Sequence, residues 1–441
     1  MGYTYALQAI GDKDMKKLVL GGLAVLIAGS AMAASVQEVA ERYRKLALAI
    51  GQHDSSYVDA YYGPPELERQ AVKNKQSLAS IKADVALAQR DIAKQKAHNA
   101  DEALRIEFLS KQLKSMHARV EMLEGRKFSF DEETALLYDA VTPHHDRAYY
   151  MALVSQVDKL LPGSEPLPER LKAFRAQFVI PKDKLQAVFD ASIAACRERT
   201  AAFMELPKNE SFVMEFVTNK PWSGYNWYKG NAHSLIQINT EFPIYIDRAV
   251  DLGCHEGYPG HHVYNALLEQ SLVKQRKWVE FSVYPLFSPM SLIAEGSANY
   301  GIEMAFPDEE RLAFEQKVLY PLAGLDPAMA PKYAELLKLL GKLSYSDNDA
   351  AQAYLEGKWT REQTIEWLVN VSLYPPEKSA QRLSFYDANR GYVINYNLGK
   401  DMVKAWTEKH VTATDPVAAR KQRWEAFKSL LSSPRLPSGL R

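Results

Sequence analysis

The stretch HEGYPGHH, residues 255–262, contains the residue types that bind and use a catalytic metal ion. It begins like the H-E-x-x-H motif of zinc peptidases, in which two histidines on one helix face bind the ion. Here Pro259 takes the fifth position, and the next histidines are His261 and His262. A straight helix would separate His255 and His262 by about 10 Å along its axis. It would also turn His261 to another side, so a straight helix cannot form the site.

Pro259 indicates that the helix is broken between these histidines. Its ring would clash with the carbonyl group of His255, and it has no N–H group to donate. Gly257 and Gly260 permit backbone conformations that other residues resist, so a bulge or short loop could bring a second imidazole to the metal. The alternative is an ordinary Pro-Gly turn with histidines that face solvent.

A third ligand is expected on a helix further along the chain. Glu295 lies inside the apolar helical pattern SPMSLIAEGSANYGIEMAF. A lone carboxylate on such a face is usually solvated or paired, but its position suits a return from one helix to the next. Asn299, one turn later, is a candidate for a hydrogen bond to a ligand histidine. Asp251, upstream of the motif, is a second candidate of this kind, although a surface charge is the simpler interpretation.

Helical patterns dominate the chain and predict a mainly α protein. Residues 34–206, which open with a capping box at Ser35, form a predicted N-terminal helical lobe. Residues 207–441 form the predicted catalytic lobe, with short β-type runs at 211–218 and 234–240 just upstream of the motif. We therefore expect a small antiparallel β-sheet beside an active-site cleft that is otherwise built of helices.

The N-terminus predicts export. From Met15 the chain has two lysines, an apolar run and an A-x-A site that ends at Ala33. Residues 1–33 are thus predicted to be an upstream extension plus a signal peptide, cleaved after about Ala33, which gives a periplasmic or secreted protein. The run is too short to span a bilayer, so we expect no integral membrane span after cleavage. The formal net charge of +0 gives no indication of a nucleic-acid partner.

Only Cys196 and Cys254 are available for a disulfide bond. An oxidising compartment permits such a bond, but the sequence does not establish it. A small buried thiol beside the motif is the simpler interpretation of Cys254.

The motif and its surroundings resemble the bacterial proteins classed as domain of unknown function 885. HEGYPGHH followed by EGSANY is similar to the H-E-x-x-P-G-H-H and E-G-W-A-x-Y signatures of that family, and NAHSLIQINT and RGYVINYNLG are similar to two further segments. The resemblance covers the chain from about residue 35 to 430. The family looks like a branch of the gluzincin metallopeptidases. It therefore implies an oligopeptidase-like helical architecture and cleavage of short peptides.

The resemblance also implies roles for individual residues. His255, His261 and Glu295 match the zinc ligands. Glu256 matches the general base, which takes a proton from the attacking water. Gluzincins place glycine before the second ligand, which favours His261, and His262 is the alternative.

Further side chains are candidates for contacts with substrate. Tyr392 and Tyr396 could donate a hydrogen bond to the developing oxyanion, or they could be aromatic packing in a cleft wall. Arg382 and Arg390 could hold a substrate carboxylate, although most arginines are surface residues.

The predicted strand 234–240, with Ser234, Ile236 and Asn239, could bind substrate backbone by strand addition. The nearby segment WSGYNWY, residues 222–228, is predicted to be core or cleft wall.

The leading hypothesis is an exported zinc metallopeptidase that acts on short peptides, with one zinc ion per chain and Glu256 as general base. Other divalent ions also suit nitrogen–oxygen sites. The alternatives are another metal-dependent amidase or esterase with the same ligands, and a non-catalytic peptide-binding protein with a relic metal site. Peptide length, end preference and oligomeric state do not follow from the sequence.

Overall fold

The computed structural model describes residues 34–220 and 222–441, and Ala34–Arg441 is one compact unit. The predicted extension and signal peptide lie outside the described residues. The division into lobes at residues 34–206 and 207–441 stays a prediction. Among the described helices, none is both long enough and apolar enough to cross a membrane.

The architecture is mainly α-helical, as predicted. The α-helices of the described part are α1 Val36–Ile50, α2 Pro65–Asn74, α3 Leu78–Ile92, α4 Ala100–Leu123, α5 Phe130–Leu137, α6 Arg147–Leu160, α7 Leu167–Arg175, α8 Leu185–Ala201, α9 Asp247–Leu252, α10 His261–Leu268, α11 Pro289–Ala305, α12 Asp308–Phe314, α13 Tyr320–Ala323, α14 Ala330–Lys342, α15 Tyr345–Leu355, α16 Arg361–Asn370, α17 Pro376–Asn389, α18 Ile394–Lys409 and α19 Pro416–Leu431.

Helix α1 shows how local sequence starts these elements. The Ser35 side chain accepts a hydrogen bond from the Glu38 N–H at 3.3 Å, and the Glu38 carboxylate accepts one from the Ser35 N–H at 2.7 Å. This reciprocal pair satisfies two N–H groups that the first turn leaves without helical partners. Val39, Tyr43 and Leu46 then follow at helical spacing and are buried in the core. The predicted capping box is therefore confirmed.

The strands form two small sheets. β1 Val58–Tyr61 pairs with β5 Val283–Pro285 in an antiparallel arrangement. β2 Ser211–Val217, β3 Gly224–Gly230 and β4 His233–Asn239 form a second sheet in the order β2–β4–β3. In this sheet β3 and β4 are antiparallel, as predicted, whereas β2 and β4 are parallel. The parallel pairing arises because β3, which the sequence interpretation missed, reverses the chain between β2 and β4.

Helices α11 and α18 cross with their backbones in contact. A Cβ atom on Gly296 of α11 would collide with the backbone of Gly399 of α18. The absence of side chains at these two positions permits the close approach. The crossing brings α11, which carries Glu295, against the segment that carries Tyr392 and Tyr396.

Cys196 on α8 and Cys254 form a disulfide bond, with their Cα atoms 5.5 Å apart. Both residues have 0% exposure. The disulfide bond that the sequence permits is therefore present, and the interpretation of Cys254 as a free buried thiol is wrong. The bond ties α8 to the residue that immediately precedes His255.

Candidate metal site and cleft

The segment HEGYPGHH departs from regular helix, as Pro259 predicts. After α9, residues Gly253–Gly257 form one π-helical turn, and the chain leaves the helix at Tyr258. The Tyr258–Pro259 peptide bond is cis. Helix α10 then begins at His261. His255 therefore lies before the break and His261 directly after it.

Gly260 allows the chain to fold back across this break. Its N–H donates a hydrogen bond to the carbonyl of Cys254 at 3.0 Å. A Cβ atom at Gly260 would collide with the carbonyl groups of His255 and Cys254. Because glycine has no Cβ, the imidazole centroids of His255 and His261 come within 4.6 Å of each other. The side chains of His255 and His261, six residues apart in the chain, are thus neighbours in the fold.

Three predicted ligands converge. Nε2 of His255 lies 3.3 Å from Oε2 of Glu295, and Nε2 of His261 lies 3.7 Å from the same oxygen. One ligand atom from each residue lies within 4.8 Å of the others. Atoms bound to one tetrahedral zinc ion at about 2.0–2.1 Å are separated by roughly 3.4 Å. The observed spacing therefore suits three ligands of one ion.

The two oxygens of Glu295 have different surroundings. Oε1 accepts a hydrogen bond from the Tyr392 hydroxyl at 2.7 Å. Oε2 is buried and receives no hydrogen bond from the described residues. A buried carboxylate oxygen without a donor is costly, and two imidazoles with a carboxylate form a common zinc-binding set. The residues present therefore fit a divalent metal ion.

Neighbouring charges shift the pKa values of the His261 and Glu295 side chains. Burial lowers the pKa of the His261 imidazole, but the carboxylates of Glu295, Glu256 and Asp59 outweigh burial and raise this pKa to about 9. Burial raises the pKa of Glu295, whereas His261 and His255 lower it well below its ordinary value. An ion that binds here must therefore displace a proton from His261.

Asn299 orients His255, as predicted. The Asn299 Oδ1 atom lies 3.1 Å from Nδ1 of His255, and its Nδ2 group donates to the backbone carbonyl of Tyr396 at 3.1 Å. Since the amide oxygen can only accept, Nδ1 carries the proton and Nε2 presents its lone pair towards Glu295.

Asp251 does not make the predicted contact with a ligand histidine. Its carboxylate instead pairs with Arg311 at 2.9 Å and with Arg248 at 3.1 Å. Each guanidinium group contacts a different carboxylate oxygen, so Asp251 is part of a charge network in the cleft wall.

His262 faces away from the cluster. Its Nε2 atom lies 3.0 Å from Oε2 of Glu210, and its Nδ1 atom lies 2.9 Å from the Ser234 hydroxyl. Glu210 also accepts hydrogen bonds from Tyr258 and, at 2.9 Å, from Arg197. The geometry thus groups His261, and not the alternative His262, with the other predicted ligands. Ser234 is fully buried in this network, so the prediction that it contacts substrate is wrong.

Strand β4 cannot accept an added strand, which corrects the prediction for 234–240. It is the central strand, and both of its edges are already paired. Ile236 lies in the core, and the Asn239 side chain donates to the carbonyls of Lys220 and Trp222. The strand edge that faces the cleft belongs to β3, whose Gly224, Tyr225 and Asn226 line it. In the aromatic segment 222–228, predicted to be core or cleft wall, residues 222–226 line the cleft and Tyr228 is buried. Most of the segment is also part of strand β3.

Glu256 is buried beside the cluster. The side chain of Asn226 donates to the Glu256 backbone carbonyl at 2.7 Å. Oε1 of Glu256 lies where a Cβ on Gly224 would be only 2.8 Å away. Burial raises the pKa of Glu256, His255 and His261 oppose this change, and Glu295 adds to it. The net rise moves this carboxylate towards the pKa that suits a general base near neutral pH.

The two candidate tyrosines differ. The Tyr392 hydroxyl is already committed to Glu295, as given above. Tyr396 is half-buried, lines the cleft and, in the described part of the chain, has no partner for its hydroxyl. Burial raises the pKa of both phenols well above the ordinary value, so each remains a hydrogen-bond donor. Tyr396 is thus the one available to donate to a bound molecule.

The arginines predicted to hold a carboxylate are already occupied. Nε of Arg382 lies 3.0 Å from both carboxylate oxygens of Asp347. Nε of Arg390 donates to Glu133 at 2.8 Å, and Arg390 is outside the lining of the cleft. Neither guanidinium group is free in the way that the prediction requires.

The cluster lies in a cleft of about 690 Å³, a size typical of ligand sites. Sequence reasoning missed Asp59 of β1, which lines this cleft and accepts a hydrogen bond from the Tyr225 hydroxyl. Burial raises the pKa of Asp59 to about 7, with His261 opposing the rise and Glu295 and Glu256 adding to it. A single acid in a Tyr-rich segment has no ligand spacing that could have indicated its position.

Comparisons with known proteins do not assign a family. No family model matches the chain, and no curated protein matches it. Among solved structures, it is similar to a "putative lipoprotein" from Colwellia psychrerythraea, with 14% identity, coverage of 90% of this chain and 76% of that one, and a TM-score of 0.47. A structure described as BsuCP has 12% identity, coverage of 90% and 87%, and a TM-score of 0.40. A "putative lipoprotein of unknown function" from Shewanella oneidensis has 13% identity, coverage of 91% and 88%, and a TM-score of 0.42.

Proposed function

We propose that this chain is an exported zinc metallopeptidase that hydrolyses peptide bonds of short peptides. One observation carries the proposal. The buried Oε2 atom of Glu295 has no hydrogen-bond donor and lies 3.3 and 3.7 Å from Nε2 of His255 and His261. This arrangement would supply two nitrogen ligands and one oxygen ligand to a zinc ion, and all three residues line the cleft.

A bound divalent ion would polarise the substrate carbonyl and lower the pKa of a water molecule. The chain supplies the remaining functions. Glu256 accepts the proton of the attacking water and delivers it to the leaving amine. Tyr396 donates a hydrogen bond to the carbonyl oxygen as negative charge develops there. Tyr392 holds the Glu295 carboxylate in position.

The cleft supports a peptide substrate. Residues Gly224–Asn226 of β3 line it, and the outer edge of β3 has no partner strand in the described sheet. An extended peptide can pair with such an edge through backbone hydrogen bonds, which gives affinity with little selectivity for side chains. β3 therefore takes the role first predicted for 234–240.

The proposed location is the periplasm or the exterior of the cell. The buried Cys196–Cys254 disulfide supports export, because structural disulfides persist in oxidising compartments and are rare in the cytosol.

Metal analysis combined with Glu256→Gln tests the proposal. The purified protein should contain one zinc or other divalent ion per chain and cleave short peptides. Glu256→Gln should keep the ion and lose turnover by a factor of about 10²–10⁴, the usual contribution of a general base. Glu241→Gln, at an exposed position, is the matched control and should keep both the bound ion and the turnover.

Unchanged turnover in Glu256→Gln would contradict the mechanism. Turnover of non-peptide amides or esters alone would place the chain among other metal-dependent hydrolases. Peptide binding without turnover by the metal-loaded protein would favour a binding protein.

A further inference from the structure

Most cations that line the cleft are already neutralised by neighbouring acids. Arg382 is held by Asp347, and the Lys400 ammonium lies 3.0 Å from Glu303. Lys378 also lines the cleft, and in the described part of the chain it has neither a hydrogen bond nor an ion pair with a carboxylate. Its side chain is exposed to solvent. Lys378 is therefore the cleft cation that is free to bind an anion.

The environment of Lys378 is positive. Desolvation by the surrounding protein lowers the pKa of the Lys378 ammonium to about 8; the charges of Arg248, Arg175 and Arg382 add to this decrease, and Asp247 opposes it. The group remains mostly protonated at neutral pH. Arg248 also lines the cleft, and it shares its acid, Asp251, with Arg311. Arg311 has a second acid, Glu315, at 2.7 Å, so Arg248 is neutralised and Lys378 is the cation without an acidic partner on this side of the cleft, within the described part of the chain.

Helix geometry indicates how far Arg248 and Lys378 lie from the cluster of candidate metal ligands. Arg248 precedes His255 by seven residues, which corresponds to about 10 Å along the helix. On α17, Lys378, Gln381, Phe385 and Asn389 line the cleft at the spacing of one helix face. Lys378 lies two turns, again about 10 Å, before Phe385. The Phe385 ring packs 6.4 Å from the ring of Tyr392, whose hydroxyl donates to Glu295 of the cluster. An extended peptide spans 3.3–3.6 Å per residue, so about three residues bridge 10 Å.

We propose that Lys378 binds a carboxylate of the peptide substrate two to three residues beyond the cleaved bond. The carboxylate belongs either to the C-terminus or to an acidic side chain at that position. This inference rests on the proposed peptidase function, and it replaces Arg382 and Arg390 as the groups that recognise substrate charge.

Equilibrium binding to metal-loaded protein in the Glu256→Gln background tests this inference without turnover. The probes are the hexapeptide Ala-Ala-Phe-Ala-Ala-Ala with a free C-terminus, its C-terminal amide, and the amide with aspartate as its last residue. The free acid should bind about tenfold more tightly than the amide, as expected for a hydrogen bond to a charged group. Lys378→Met should abolish this difference, and Lys378→Arg should retain it.

Lys400→Met is the matched control, since it removes a cleft lysine that already has an acidic partner. It should keep the preference for the free acid. Equal affinity for acid and amide in the parent protein, or a preference that survives in Lys378→Met, would overturn the inference. If the aspartate amide binds like the acid, the site accepts any carboxylate. If it binds like the simple amide, the site is specific for the C-terminus.

Product analysis separates this inference from the proposed function. Mass spectrometry of wild-type digests should find released C-terminal fragments of two or three residues, and release of single residues would contradict the spacing. Cleavage with no dependence on the carboxylate would reject the Lys378 site and keep the peptidase. Carboxylate binding through Lys378 without cleavage of any peptide would reject the peptidase and keep the site.

Discussion

His261 and His262 are neighbours of the same type with different surroundings. His261 faces His255 and Glu295 in the cleft, whereas His262 lies between Glu210 and Ser234 in the protein interior. The choice between them as ligand could not be derived from spacing alone, because both follow the proline break. The residues that distinguish them, Glu295 for His261 and Glu210 and Ser234 for His262, lie far away in the chain.

Substitution of each histidine by glutamine should separate the two roles. His261→Gln should reduce the metal content well below one ion per chain, since it removes one of three ligands. His262→Gln should keep the metal but lower the free energy of unfolding by about 1–3 kcal/mol, because Glu210 loses a buried hydrogen-bond partner. Elemental analysis and thermal unfolding with a chelator measure the two effects. Loss of metal in His262→Gln alone would contradict the assignment.

The Glu210 network should make stability depend on pH. Burial raises the pKa of Glu210, but hydrogen bonds from His262, Tyr258 and Arg197 outweigh it and lower this pKa to about 2. A folded-state pKa below the unfolded value of about 4.3 stabilises the protein above that value. This stabilisation is lost as the pH falls from about 4.3 towards 2.

Glu210→Gln should therefore destabilise the protein by about 1–3 kcal/mol at pH 7. The difference from the wild type should narrow below about pH 4.3. Urea unfolding at several pH values measures it, with the exposed Glu241→Gln as control. A difference that stays constant down to pH 3 would contradict the charge network.

The helical elements were largely predictable, and the sheet was only partly so. Capping signals and helical spacing act over a few residues, and α1 begins at its predicted Ser35 cap. β3 was missed because GYNWYKG begins and ends with glycine and lacks a clear alternation of polar and apolar residues. Without β3, the strand order β2–β4–β3 and the central position of β4 could not be derived.

The site was predictable where its chemistry lies in short motifs. His255, Glu256, His261, Glu295 and Asn299 all line the cleft. Asp251, Arg382 and Arg390 could not be judged from sequence, because each is held by a partner that only the fold brings close. Lys378 could not be singled out from the sequence either, because only the fold shows that it has no acidic partner in the described part of the chain.

The contact of β3 with the π-helical turn predicts the effect of a small substitution. A Cβ at Gly224 would lie 2.8 Å from Oε1 of Glu256 and 2.9 Å from Leu252. Gly224→Ala should displace the Glu256 carboxylate and reduce kcat/KM by about 10–100-fold, the usual effect of misplacing a catalytic group. The metal content should not change.

Peptide-cleavage kinetics and elemental analysis measure this prediction. Gly439→Ala, where an added Cβ meets no atom within 4 Å, is the control. Wild-type kinetics in Gly224→Ala would mean that Glu256 tolerates displacement or has no catalytic role.

The disulfide bond is a covalent link between a helix and the candidate metal site. It joins α8 to the residue before His255 across a sequence separation of 58. Replacement of both cysteines by alanine should lower the free energy of unfolding by about 2–4 kcal/mol. Thermal unfolding with and without a reductant measures the effect, because only the wild type should respond to reduction. Identical unfolding temperatures in oxidised wild type and variant would contradict it.

Consecutive residues of an α-helix point about 100° apart around its axis. The first two residues of α10, His261 and His262, are both held, one by the cleft cluster and the other by Glu210 and Ser234. Two attachments in different directions remove the freedom of α10 to turn about its own axis. The position of the His261 imidazole is therefore set by the protein interior, so that an ion bound as proposed would not have to order this helix.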